Sequence, residues 1–205
     1  MTLTIQDVYS GYEELKQHEQ EGADYLILFR EGSGSGIALM APHGGGIEPG
    51  TVEIADAIAR DEHAFYAFKG MKKRGNSVLH VTSNRFDEPI GVRIAAQAER
   101  VITFHGYHGA EDWIYIGGRN TDAMERIRNH LTDAGFHAEI SLKPGLRAIS
   151  PDNICNRCRS GKGVQLEISR GVREKMFENL PRRSHRTRTR LFYRFTDTLI
   201  QAIRH

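Results

Sequence analysis

His43 and Glu48 stand in the run Ala41-Pro42-His43-Gly44-Gly45-Gly46-Ile47-Glu48, directly after an apolar segment. A second imidazole, His105, ends the apolar run Val101-Ile102-Thr103-Phe104 and is followed by Gly106-Tyr107-His108. A separate carboxylate, Glu167, lies in Val164-Gln165-Leu166-Glu167-Ile168. Two imidazoles and one carboxylate make a three-ligand set for catalytic zinc, which leaves a coordination position open for water. A further carboxylate can accept that water's proton. The chemistry this set supports is hydrolysis.

Each residue also has a plainer reading. Glycine between His43 and Glu48 lets the backbone turn sharply and approach an ion; the alternative is a glycine-rich turn with exposed polar residues. His105 is favoured over His108 because it is still at a strand end, whereas His108 lies in the following turn. His80 reads as a core or edge residue of a strand. Glu167 belongs to a strand that should be largely buried, where an unpaired carboxylate is costly. Its partner is either a metal-bound water or an arginine such as Arg170 or Arg173, and the residues alone leave both open. Asn84-Arg85, taken alone, reads as a surface pair at the start of a turn.

The elements that must hold these residues alternate between strands and helices. Strands are expected at 25–28, 36–41, 63–68, 78–83, 101–104, 113–116, 137–140 and 164–168. The stretch Gly32-Ser33-Gly34-Ser35 between the first two is a hairpin signal. Helices are expected at 51–60, at 121–134 with Met124, Ile127 and Leu131 on one face, and from about 188 to 203. A turn around Asp87-Glu88-Pro89 leads into another helix through Ile94 and Ala98. Interleaved strands and helices predict a three-layer α/β fold, a mixed twisted β-sheet flanked by helices. Ligands at the C-terminal ends of central strands suit such a sheet. The polar segment 143–163 is long for a loop in a compact fold, and loops of that length tend to be functional or mobile.

With 205 residues, 39% hydrophobic and 26% charged, the chain can bury one sizeable core and is no disordered chain. No linker divides it, so residues 1–205 are expected to form a single zinc hydrolase domain. No apolar run reaches the ~20 residues of a membrane span. The start, Met-Thr-Leu-Thr-Ile-Gln-Asp, lacks a signal peptide, so synthesis in the cytoplasm is expected. A net charge of +2 dictates no partner. Arg182, Arg183, Arg186, Arg188 and Arg190 cluster, either as a solvated helix start or as a basic rim for a polyanion. Cys155 and Cys158 are spaced C-x-x-C without a second pair, which reads as two reduced thiols in a loop.

The order His43, Glu48, Asn84-Arg85, His105, Glu167 resembles the zinc carboxypeptidase superfamily, which includes the aspartoacylases. Phe104-His105-Gly106-Tyr107 is similar to its His-Ser-Tyr strand end, and Ser83-Asn84-Arg85-Phe86 to its Leu-Asn-Arg segment. Four residues separate His43 from Glu48, where that superfamily usually has two. Longer runs, Ala-Pro-His-Gly-Gly-Gly-Ile-Glu-Pro-Gly-Thr, Leu-His-Val-Thr-Ser-Asn-Arg-Phe-Asp-Glu-Pro and Gly-Val-Gln-Leu-Glu-Ile-Ser, resemble the poly-γ-glutamate hydrolases of bacteriophages and their bacterial relatives.

The resemblance implies a carboxypeptidase-like fold and one zinc ion per chain on His43, Glu48 and His105. It makes Glu167 the general base, and Asn84 and Arg85 the clamp for a substrate carboxylate. Lys69 stands where the superfamily's second arginine would, a weak candidate for steadying the oxyanion. The substrate would be γ-linked glutamate polymer, cut internally, in a capsule reached after host lysis. A monomer without nucleic-acid or membrane partners is expected. The rivals are a zinc deacylase of small N-acyl amino acids and, in a different class, a non-enzymatic polyanion-binding protein built on the arginine cluster.

Overall fold

The computed structural model describes residues 7–204; the first six residues, which carry the reading of the chain start, lie outside that range. Seven strands form one mixed sheet: β1 (Tyr25–Arg30), β2 (Ile37–Gly45), β3 (Ala64–Gly70), β4 (Arg100–Tyr107), β5 (Ile114–Gly118), β6 (Ala138–Ile140) and β7 (Val164–Ser169). Their spatial order is β1-β3-β2-β4-β7-β5-β6. A separate two-stranded ribbon pairs β8 (Phe177–Glu178) with β9 (Thr187–Arg188). The helices are α1 (Tyr12–His18), α2 (Thr51–Ala59), α3 (Pro89–Gln97), α4 (Thr121–Asp133), α5 (Arg170–Met176) and α6 (Arg190–Ile203).

Burial explains the strand order. β2 is buried at every position, and β4 and β7 are nearly or wholly so. Strands without a polar face must be covered on both sides, and these three lie parallel in the middle of the sheet. One face carries Leu39, Ile102, Phe104, Leu166 and Ile116 into a core with α2, α4 and α6. The other carries Met40, Tyr66 and Val101 against α1, α3 and the short 3-10 turn Ile154–Asn156. Thr103, His105, Gln165 and Glu167 share that second face, because register partners on neighbouring strands point the same way. The segment 143–163 folds over this half of the sheet as two short 3-10 turns, with Ile154 and Cys155 fully buried.

Helix ends follow their capping residues. Glu88 accepts hydrogen bonds from the Ile90 and Gly91 amides and starts α3 ahead of Pro89. Asn120 accepts from Ala123 N at the start of α4, which buries Met124, Ile127 and Leu131 as its spacing predicts. Ser169, the last residue of β7, caps α5 through Val172 N. That cap turns the chain directly from the strand carrying Glu167 into the helix carrying Arg173.

Two expectations are corrected. The hairpin at residues 25–41 does not form: β1 pairs antiparallel with β3, and β2 lies on the other side of β3. The fully apolar β2 needs a central place, whereas the half-exposed β1 suits the sheet edge. The sheet is mixed all the same, through β1 and β5. The expected strand at 78–83 is instead a 3-10 turn, Asn76–Leu79, followed by an extended segment outside the sheet. Side chains take up that segment's backbone groups: Asp7 accepts from Thr82 N at 2.8 Å, and His43 Nε2 donates to the Val81 carbonyl at 2.8 Å. α1, α5 and the β8–β9 ribbon were not expected.

Candidate metal centre

β2 delivers His43 near its C-terminal end, and a tight turn brings Glu48 back beside it. The Glu48 amide donates to the His43 carbonyl at 2.8 Å, and Thr51 Oγ1 donates to the Glu48 carbonyl at 2.9 Å. The β2–β3 register shifts by one residue between Ala41 and Gly44, so the strand bulges at Pro42-His43. Gly45 has φ +70°, and a Cβ there would lie 2.4 Å from the Gly70 carbonyl oxygen, so only glycine fits. From the adjacent strand β4, His105 completes the group.

His43 Nδ1 lies 3.1 Å from Glu48 Oε1 and 3.1 Å from His105 Nδ1, and His105 Nδ1 lies 3.6 Å from Glu48 Oε2. All three side chains are buried, with one donor atom from each within 4.8 Å of the others. The Gly106 amide holds Glu48 Oε2 at 2.9 Å.

The donor set fits a metal ion. Because His43 Nε2 donates to Val81, its Nδ1 presents a lone pair, and it faces a carboxylate oxygen and another imidazole nitrogen. Acceptors converging at that range call for a cation between them. His105 Nε2 is buried without a hydrogen-bond partner among the described residues, so that ring is engaged only through Nδ1. Two imidazole nitrogens and a carboxylate are the ligands that zinc takes in open hydrolytic sites. Burial pushes the Glu48 carboxyl up, but the neighbouring His43 and His105 imidazoles outweigh it and hold it well below the ordinary range.

Glu167 lies across the strand pair from His105 and is 8% exposed. It pairs with neither arginine considered from the sequence. Arg170 binds Glu174 at 2.7 Å, and the buried Arg173 donates to the Ile168, Pro49 and Tyr107 carbonyls at 3.1, 2.8 and 3.1 Å. A Cβ on Gly106 would lie 2.4 Å from the Arg173 guanidinium carbon, so glycine after His105 makes room for that packing. Glu167 Oε1 instead accepts from Gln165 Nε2 at 2.8 Å. Burial, then the nearby Glu48 charge, push the Glu167 carboxyl up to about 8, against the opposing pull of His43, Arg173 and the Gln165 bond.

Other residues fall into place around this centre. His108 is exposed and outside the cluster. Asn84 and Arg85 are exposed, on the segment that Val81 ties to His43, and Arg85 reaches Asp7 Oδ2 at 2.5 Å. Lys69 is half-buried on β3, next to Gly45, and makes no ion pair among the described residues. His80, read from sequence as a strand residue, packs its ring 4.0 Å from that of His43 and hydrogen-bonds Asp7 at 2.6 Å. Burial, then the neighbouring His43, lower its pKa to about 4. Asp7, Gln165 and Asn153 are not among the site residues expected from sequence, and only the Gln165–Glu167 alternation hints at any of the three.

Two further features are resolved. The arginine cluster is neither a free rim nor wholly solvated: Arg186 is buried against Glu53 at 2.6 Å, and Arg183 donates to the Gly70 and Met71 carbonyls, each at 2.5 Å. Cys155 and Cys158 are free thiols in the 143–163 segment, as expected, but both are buried, and burial raises the Cys155 pKa strongly.

Residues 9–198 match the family model described as poly-γ-glutamate hydrolase. YndL of Bacillus subtilis (strain 168), a UPF0714 protein, is 36% identical over 206 residues, covering 100% of this chain and 81% of the relative. The structure superposes on a bacteriophage poly-γ-glutamate hydrolase with a TM-score of 0.92 at 36% identity, over 96% of each chain. It superposes on the zinc-free form of YndL with a TM-score of 0.89 at 35% identity, over 98% of each. With a family match over nearly its whole length and a relative 36% identical across all of it, this chain belongs to the poly-γ-glutamate hydrolase family.

Proposed function

We propose that this chain is a zinc-dependent endo-hydrolase of γ-glutamyl amide bonds in poly-γ-glutamate. The observation that carries the reading is the convergence of His43, Glu48 and His105, with Glu167 beside His105 on the next strand. His43 Nδ1, His105 Nδ1 and a Glu48 oxygen would hold one zinc ion per chain. Zinc bound there supplies Lewis-acid polarisation of a carbonyl and acidification of water. The zinc-free form of the similar YndL supports the choice of metal.

The chain's own groups supply the rest. Glu167 takes a proton from the attacking water and returns it to the leaving amine. Burial and the Glu48 charge raise its affinity for a proton, which suits a group that must hold one between two steps. The Val81 carbonyl fixes the His43 ring, and the Gly106 amide fixes Glu48, as outer partners of metal ligands do. Arg85, with Asn84, takes an α-carboxylate of the polymer, while Asp7 restrains one of its guanidinium nitrogens. Lys69 is the candidate cation for the developing oxyanion.

In a γ-linked chain every residue keeps a free α-carboxylate. The same clamp therefore serves internal bonds, and no chain end is needed. Among the described residues no helix is long and apolar enough to cross a membrane. The enzyme would meet its polymer outside the cell after lysis, where cleavage strips a capsule that shields the host from phage.

The test is size-resolved analysis of poly-γ-glutamate incubated with the purified protein. Rapid shortening to oligomers, abolished by chelation and restored by zinc, is expected. Release of single residues only, or cleavage of small N-acyl amino acids without attack on the polymer, would favour the deacylase reading.

A further inference from the structure

We infer that Gln165 and Asn153 are positioning residues for Glu167: a buried line of amides aims its carboxylate. The inference rests on the reading of Glu167 as general base. Three hydrogen bonds make up the line. The Cys155 amide donates to Asn153 Oδ1 at 3.1 Å, Asn153 Nδ2 donates to Gln165 Oε1 at 3.1 Å, and Gln165 Nε2 donates to Glu167 Oε1 at 2.8 Å. Asn153 and Gln165 are each 4% exposed.

The direction of the line follows from its anchor. A backbone N–H can only donate, so Asn153 must turn its oxygen to Cys155 and its NH2 to Gln165. Gln165 must then meet Asn153 with its oxygen, which leaves its NH2 for Glu167. Every amide orientation is dictated by one peptide group in the 3-10 turn Ile154–Asn156. Reversing any member would bring two acceptors together in a buried site, where an unmet polar group is expensive.

The consequence at Glu167 is an asymmetric carboxylate. Oε1 is committed to Gln165, while Oε2 has no hydrogen-bond partner among the described residues. The second oxygen is thus left for water, and the first sets the plane in which it is presented. A base must sit within hydrogen-bond reach of its proton, and small misplacements cost rate steeply.

The anchor is itself rigid. Asn156 ties the segment internally, donating to the Ala148 and Ser150 carbonyls at 2.7 and 2.8 Å and accepting from Gly163 N at 3.0 Å. The Ile154 amide donates to the Ser83 carbonyl at 2.9 Å. One short turn therefore braces both the aim of Glu167 and the segment that carries Asn84 and Arg85.

Asn153→Asp and Gln165→Met, the first also combined with Glu167→Gln, test this together with one measurement on the unmodified protein. Asn153→Asp keeps the acceptor for Cys155 N and removes the donor to Gln165, so Gln165 must present its oxygen to Glu167. A fall in kcat of about 10-fold or more is expected, with KM changed less than about 3-fold and zinc retained. Combined with Glu167→Gln the same change should cost nothing further, because an amide at position 167 can donate to the reversed Gln165. A role confined to holding the segment in place predicts the same proportional loss in both backgrounds, and that result would overturn the inference. Gln165→Met conserves volume and removes the bond, and the same kcat loss is expected.

In the unmodified protein, with or without zinc, the Gln165 side-chain NH2 should give an NMR signal protected from solvent exchange and shifted by Glu167→Gln. Exchange as fast as that of a surface glutamine overturns the inference even if the variants fail to fold. If Glu167→Gln turns over near the wild-type rate, the general-base reading falls instead. If Glu167→Gln is slow while Asn153→Asp and Gln165→Met match wild type, the positioning role alone is refuted.

Discussion

His105 on β4 and Glu167 on β7 are register partners across two parallel strands, so a candidate metal ligand and a free carboxylate stand side by side on one face of the sheet. Neighbouring strands lie about 4.8 Å apart. A one-residue slip of β7 would send Glu167 into the opposite core, against α4 and α6. The fully buried Leu166 and Ile168 hold the register, since they would have to take its place. The site therefore depends on the same alternation that fills the core, and its parts can be tested one at a time.

Elemental analysis of purified protein should find close to one zinc per chain. His105→Ala should lose most of it, because two ligands of the three remain. His108→Ala should keep it, since His108 is exposed and outside the cluster. Retention by the first and loss by the second would overturn the choice of third ligand.

Glu167→Gln should bind zinc and polymer normally and turn over at least ~10²-fold more slowly, the scale of a lost general base. The substitution is well suited to the purpose, as a glutamine oxygen can still accept from Gln165 Nε2. Turnover near the wild-type rate would remove Glu167 from the chemistry.

Arg85→Lys should weaken hydrolysis of poly-γ-glutamate strongly with zinc still bound, because lysine cannot reproduce a planar two-pronged contact to carboxylate. Esterifying the α-carboxylates of the polymer should then slow the wild type far more than the variant. Equal slowing of both proteins means that Arg85 is not the clamp.

Asp7 organises the segment 80–85 through bonds from His80, Thr82 and Arg85. Burial pushes its carboxyl up, but those bonds outweigh it and leave it below the ordinary value of 3.8. A depressed carboxyl contributes stability that is present above the unfolded pKa and is lost as pH falls through the folded one. Asp7→Asn should therefore destabilise the protein at pH 7, by about 1–3 kcal/mol for the lost charge-assisted bonds. Thermal melts should show the gap to wild type closing as pH falls from 3.8 through the lower folded-state pKa of Asp7, below which both side chains are neutral. A gap that stays constant down to that pH would count against this account.

The sequence by itself determined the chemical types at the site and much of the scaffold. The apolar runs before His43 and His105 marked buried strands, and Gln165 and Glu167 followed the period of two that puts them on one face. Such features are local: they depend on residue type and on spacing along a few residues. The tertiary structure alone decided which strands are neighbours. β3 lies between β1 and β2, and that choice is made by whole-strand burial, with a fully apolar strand taking the centre and a half-polar one the edge. It also decided the partners of the site residues. Asp7 meets His80 and Arg85 across more than seventy residues, and Asn153 reaches Gln165 from a segment that only folding lays over the sheet. Buried polar groups need partners, but the identity of those partners is set by which surfaces pack together, and a linear pattern does not contain it.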